Sequence, residues 1–299
     1  MGTQRRWIVT GARGQLGSCL VARLRARGQD EVFAFDRATL DITDASALRN
    51  ALLEIAPDFV ANAAAMTHVD RCENEPEAAE AANAIAPRVV AEACREIGAR
   101  LVHVSTDYVF DGTGSTPYRE SDPVRPQSAY GRTKLAGEEG VRTLLPEALI
   151  VRTAWVFGPG RNFVRTMLEA AARSLQGAAP ELRVVDDQQG SPTYADDLAQ
   201  ALLTLVEAEA TGTYHVANAG VATWWDLARA SIDAWGHPEL PIERVRTKDF
   251  PRPAPRPAWS VLDIGRAERA GVQMRPWREA LEAYLHSDAS PLRELGASS

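Results

Sequence analysis

The sequence predicts an α/β fold, a doubly wound parallel sheet with a smaller cap formed by the C-terminal half. Three observations carry this. Strand-length apolar runs alternate with helix-period segments through the first half of the chain. Those runs are apolar throughout rather than alternating, as strands covered on both faces are. Three glycines, Gly11, Gly14 and Gly17, stand between the first run and the first helical segment, where a dinucleotide-binding sheet turns its chain. Together they describe a Rossmann-like sheet.

Taken in order, residues 6–10 are the first strand and 15–27 the first helix. A second strand at 31–35, a helix at 45–55 and a third strand at 58–64 follow. Residues 76–97 have the spacing of one long helix, which Pro87 should bend because proline lacks the amide hydrogen that a helix interior uses. Residues 100–105 form a fourth strand, 128–145 a helix and 149–156 a fifth strand. Beyond this the pattern loosens: 182–185 and 213–216 are strand-like, 196–209 and 224–235 helical. The division expected is a nucleotide-binding domain over 1–158, with 195–218 returning to its sheet, and a cap made mainly of 159–299.

With hydrophobic residues at 45%, a core of this size can be filled. A formal net charge of -7 argues against a nucleic-acid binder that works by neutralising phosphates, while a small anionic ligand needs only a few local arginines. Cys19, Cys72 and Cys94 are scattered and odd in number, which fits a reducing, cytoplasmic setting. The opening apolar run is too short for a leader and no stretch is long enough to span a bilayer. The five histidines and the acidic stretch Glu73, Glu75, Glu77, Glu80 show no metal spacing, so no metal site is expected. A monomer or a homodimer is compatible with all of this.

The glycine turn Gly11-Ala12-Arg13-Gly14-Gln15-Leu16-Gly17 lets backbone approach a pyrophosphate at a helix N-terminus. Asp36 ends the second strand, where a carboxylate can hold ribose hydroxyls; Asp41 and Ile42 follow in the same loop. Arg13 and Arg37 suit a 2′-phosphate instead, so NADH and NADPH both stay open. Ala63, Ala64 and Ala65, after Asn62, are small enough for a nucleotide to lie against the chain. Tyr130 and Lys134 lie one turn apart on one helical face. A lysine ammonium near a phenol favours phenolate, lowering a pKa of about 10 toward working pH and fitting the tyrosine to exchange a proton with a carbonyl oxygen. Thr106 ends the fourth strand, on the side where ligands bind such sheets, and its hydroxyl can reach the same oxygen.

These segments in this order resemble the extended short-chain dehydrogenase/reductases. Longer stretches are similar to its dTDP-4-dehydrorhamnose reductase branch: Thr67-His68-Val69-Asp70, residues 105–112 (STDYVFDG), residues 130–138 (YGRTKLAGE), Arg152-Thr153-Ala154-Trp155, residues 187–193 (DQQGSPT) and Arg256-Pro257. The resemblance implies NAD(P)H-dependent reduction of the 4-keto group of a nucleotide-linked 6-deoxysugar. Tyr130 would supply the proton, Lys134 would hold the nicotinamide ribose, and Thr106 would polarise the ketone. It further implies Asp107, Trp155, Asn162 and Arg256 as contacts to the sugar nucleotide. Sugar dehydratases of this superfamily carry glutamate where Tyr108 stands, which disfavours dehydration. A nucleotide-sugar epimerase and a non-catalytic regulatory subunit of the same fold are the alternatives.

Overall fold

The computed structural model describes residues 4–177 and 181–295; the first three residues of the N-terminal reading lie outside them. The central sheet has six strands: β1 (Arg5–Thr10), β2 (Asp30–Phe35), β3 (Phe59–Asn62), β4 (Arg100–Thr106), β5 (Leu149–Thr153) and the edge strand Gly212–His215. Their order is β2, β1, β3, β4, β5, Gly212–His215, and every pairing is parallel.

Successive residues of each strand serve opposite layers. Trp7 and Val9 pack with Leu20, Leu24, Leu198 and Leu202 under α1 (Gln15–Ala26) and the helix Ala195–Glu207. Ile8, between them, packs with Leu48, Leu52, Val90 and Leu101 under α2 (Ala45–Ile55) and the helix Ala86–Ile97. Both faces are sealed, which is why the strands are written as unbroken apolar runs. Chain direction across the sheet reverses at β1 and β3, so their carboxyl ends open on the crevice in which doubly wound sheets bind ligands.

A second core gathers Phe157, Val164, Leu168, Leu227, Ile232, Trp277, Leu281 and Tyr284. It unites the helices Phe163–Leu175, Trp224–Ala234 and Trp277–Leu285 with a parallel pair, Leu182–Val185 and Ile242–Val245. Midway the chain leaves this unit: Ala195–Glu207 packs on α1 and Gly212–His215 extends the main sheet beside β5.

Three local departures from the sequence reading have clear causes. The long helix is interrupted by a π-helical stretch, Ala81–Ile85, before Ala86–Ile97 resumes. Pro87 offers no amide hydrogen to the carbonyl of Asn83, and that carbonyl instead meets Gly137, where a β-carbon would come within 2.2 Å of it. The third strand stops at Asn62 rather than 64, leaving the alanines after it as a loop. The fifth strand ends at Thr153, because Trp155 adopts φ 47° before Val156–Phe157 pairs with Thr193–Tyr194. A left-handed non-glycine residue costs about 1–3 kcal/mol; here it lays the indole on Gly190, where a β-carbon would come within 2.4 Å of the ring.

Candidate active site

The glycine turn is built for close approach. Gly11 has φ 68° and faces Ala63, whose carbonyl oxygen would stand 2.8 Å from a β-carbon there. At Gly17 a β-carbon would fall 2.1 Å from the Gly11 oxygen. The N-cap of α1 is Gly14, with no side chain to satisfy the first amides. Free helix amides and a cradle without β-carbons fit a pyrophosphate. Leu16 faces inward, in the core under β1, so only its backbone is presented at the turn. Gln15 reaches the Arg161 carbonyl at 3.4 Å, while its Oε1 is buried without a partner.

The corner around Asp36 is more committed than the sequence implies. Asp36 accepts the Ala38 and Thr39 amides and the Thr39 hydroxyl, and Arg13 lies 2.7 Å from its other oxygen. Hydrogen bonding from Thr39, with Arg13 adding its charge, holds this carboxyl below its ordinary range. Arg37 pairs with Asp41 at 3.5 Å, and Ile42 packs against the α2 side of the core. Both arginines have side chains at least 80% exposed, so either can swing to a new anion.

The three strand ends beside the crevice are tied by side chains. Thr10 donates to Asn62 at 2.8 Å, and the Asn62 amide meets His103 Nδ1 at 3.3 Å. One residue past that row, the Val104 carbonyl accepts from Lys134 Nζ at 2.6 Å. Lys134 and Tyr130 lie on the helix Ala129–Leu144, which starts at an N-cap from Ser128 to the Gly131 amide. The helix packs closely because Gly131 and Gly137 lack β-carbons: Gly137 sits on the Asn83 carbonyl, and at Gly131 a β-carbon would lie 2.2 Å from the carbonyl oxygen of Tyr108, just past β4. Thr106 and Tyr130 come together here, and the nearby Thr106 hydroxyl favours the phenolate, although its one proton is directed at Asp107 Oδ1.

The balance at Tyr130 corrects the sequence reading. Burial outweighs the Thr106 hydrogen bond, Asp107 adds repulsion, and the phenol is raised above its usual value. Burial also brings Lys134 down to about 8, against the charge of Glu138, which holds it up. The lysine is spent first on a backbone carbonyl, so it does not pull the tyrosine toward ionisation in the free protein.

Asp107 is buried next to these groups. Its Oδ1 accepts from Thr106 at 2.8 Å, Oδ2 has no partner, and burial raises the acid to about 6. Trp155 stacks on Trp224 with centroids 3.6 Å apart, and the Trp224 indole donates to Gln188. Arg256 is held 2.9 Å from Asp70, and this pair acts on the Tyr108 ring that packs edge-on against Tyr130 at 5.5 Å. Asn162 has structural partners in the free protein: its amide faces the Gly158 and Gly160 carbonyls and the Tyr284 hydroxyl, and its oxygen accepts the Arg165 amide, capping the helix Phe163–Leu175.

Sequence reasoning gave no role to the ion pair beneath the site. Glu138 takes Arg152 Nε at 2.9 Å and Nη2 at 2.7 Å, with both side chains buried. The available signal was its i+4 spacing from Lys134. Trp224, the partner of Trp155, was also missed, because contact across distant segments leaves no local pattern.

The family model described as RmlD substrate binding domain matches residues 5–290. The chain belongs to the RmlD substrate binding domain family. This RmlD-family chain is 44% identical over 284 residues to the spore coat polysaccharide biosynthesis protein SpsK of Bacillus subtilis, covering 95% of the chain and 98% of SpsK. It is 45% identical over 284 residues to dTDP-4-dehydrorhamnose reductase of Streptomyces griseus, covering 92% and 91%. Among solved structures, dTDP-4-dehydrorhamnose reductase from Bacillus anthracis in complex with NADP superposes with a TM-score of 0.88 at 37% identity, over 94% of this chain and 99% of that one. The RmlD-family chain has no helix among the described residues long and apolar enough to cross a membrane, and no cluster there able to hold a metal ion.

Proposed function

We propose that this chain is a dTDP-4-dehydrorhamnose reductase, converting dTDP-6-deoxy-L-lyxo-4-hexulose to dTDP-L-rhamnose with NADPH or NADH. One observation carries the reading: Thr106 and Tyr130 meet at the end of β4, one helical turn from a buried ammonium, beside a glycine cradle. Relatives over nearly the whole chain bear the same activity in their names.

A nicotinamide cofactor held at the glycine cradle of Gly11, Gly14 and Gly17 would supply the hydride. The protein does the rest. Thr106 donates toward the ketone oxygen and polarises it. Tyr130, held protonated by burial, gives its proton to that oxygen as negative charge develops. Lys134, largely charged at neutral pH with a pKa of about 8, stabilises the phenolate left behind and can hold the ribose. Asp107 and Trp155 border the sugar, and Arg256 exchanges Asp70 for the substrate diphosphate, which a guanidinium grips bidentately. In this reading residues 1–158 with 195–218 carry the cofactor, and the remainder of 159–299 closes over the sugar. Tyr108 is raised by burial, a poor acid–base group where dehydratases need one.

Consumption of NADPH and of NADH with the dTDP-4-keto sugar tests the proposal. Tyr130→Phe should lose about 10²–10⁴-fold in turnover while its melting temperature is kept, since only one hydroxyl is removed. Normal turnover by that variant would rule out Tyr130 as the proton donor; no oxidation by the wild type would rule out the reaction.

A further inference from the structure

Beside the edge strand Gly212–His215 lies a cleft of about 540 Å³, whose lining includes none of the cofactor-, substrate- or proton-handling residues named above. Its walls gather four guanidinium groups: Arg142, Arg152, Arg266 and Arg269. They come from the helix Ala129–Leu144, from β5 and from the short helix Gly265–Arg269. Arg142 reaches Glu138 and Thr213 at 3.4 Å each, and the two carboxylates in the wall face backbone. Glu120 accepts the His215 amide at 3.0 Å, and Asp122 accepts the Arg119 amide at 2.7 Å. Arg266 lies over the Tyr214 ring at 4.2 Å from its centroid, and Arg269 is exposed.

Arg152 forms the floor. Its side chain is 3% exposed. Glu138 fixes Nε and Nη2, Phe110 lies 5.2 Å beneath the guanidinium carbon, and Nη1 is buried with no partner. An unpaired buried donor is costly. The rest of this head group is already immobile, so an acceptor arriving at Nη1 gains a charge-assisted hydrogen bond with little ordering cost.

We propose that this cleft is a second anion site, separate from the sugar-nucleotide site, for a phosphate-bearing small molecule. Phosphate oxygens take Arg152 Nη1 from below and the three outer guanidinium groups from the sides. Glu120 and Asp122, each with an oxygen to spare at the rim, suit hydroxyls on the rest of the ligand. The same Arg152 grips Glu138, one turn from Lys134, so the ligand shares a guanidinium with the reacting helix.

Isothermal titration calorimetry of the full chain, its glycine cradle filled by saturating NADPH, with inorganic pyrophosphate tests this. Wild type and R256A should bind it alike, and R266A/R269A at least about tenfold more weakly, the loss of charge-assisted contacts. NADPH binding by R266A/R269A should be unchanged. If the double variant fails to fold, R269A alone should still weaken binding by about threefold or more. The proposal is overturned by absence of binding in the wild type, by equal affinity in the arginine variants, or by loss in R256A, which would place the anion at the sugar diphosphate. Ketone reduction is assayed separately on the same preparations, so failure here leaves the reductase reading standing.

Discussion

Glu138→Gln is the most informative single change. The Glu138 and Arg152 side chains are 0% and 3% exposed, and they meet through two contacts of 2.7 and 2.9 Å. Water screens neither. Glutamine keeps the shape and an acceptor but leaves a buried guanidinium facing a neutral amide. Removing one partner of such a pair costs about 3–5 kcal/mol. At about 2 °C per kcal/mol in a chain of this length, melting should fall by roughly 6–10 °C. The effect also reaches the site. Glu138 is the charge that holds Lys134 up against burial at a pKa of about 8, so the alkaline limb of kcat/KM should move to lower pH. Calorimetry and a pH–rate profile read the two effects. Replacing both partners, Glu138→Leu with Arg152→Met, should recover much of the melting temperature, since a buried pair replaced by apolar groups is often neutral, but not the limb. A melting temperature within about 2 °C of wild type, or an unmoved limb, would refute the reasoning.

Other outcomes follow from the same geometry. Lys134 has a folded pKa of about 8 against 10.5, so the unfolded chain binds more protons between those values. Its contribution therefore makes stability climb with pH across that window, and Lys134→Met should remove the climb in urea midpoints. Asp107 is raised to about 6 from 3.8; the folded chain binds more protons there, so stability falls as pH rises through that range and Asp107→Asn should flatten the fall. Gly17→Ala drives a β-carbon to 2.1 Å from the Gly11 oxygen. Such overpacking costs about 1–3 kcal/mol, so NADPH affinity in a fluorescence titration should drop about tenfold or more, and an unchanged affinity would clear the cradle of its role. Asp70→Asn releases Arg256 from a partly exposed pair, which should lower KM for the dTDP-sugar by about two- to fivefold with kcat unchanged.

The sequence was most legible where function depends on short spacing. Gly11 to Gly17, Tyr130 with Lys134, and Thr106 at a strand end are each local, and each lies on the expected element. What escaped depends on segments far apart. The Glu138–Arg152 pair spans a helix and a strand, and Trp155 meets Trp224 only through tertiary packing. Pro87 announced a bend, but whether the helix kinks or takes a π-helical stretch depends on what the freed Asn83 carbonyl meets, and it meets Gly137. The direction of the Tyr130 shift was misread for the same reason. Spacing shows that a lysine is near; only the fold shows that the Val104 carbonyl accepts its hydrogen bond and that the phenol is buried.

Gly131 directly follows Tyr130 and, with Gly137, brackets Lys134, and each glycine rests directly on a carbonyl oxygen of another segment. The reacting helix is thus gauged against main chain rather than against side chains that can change rotamer. A methyl group at either contact would have to lift the helix by about 1 Å, and a displacement of that size can cost on the order of 100-fold in rate. Anyone retooling this scaffold for another ketone has freedom in the walls that touch the sugar, but these two seats set the working distance and leave no room for even the smallest side chain.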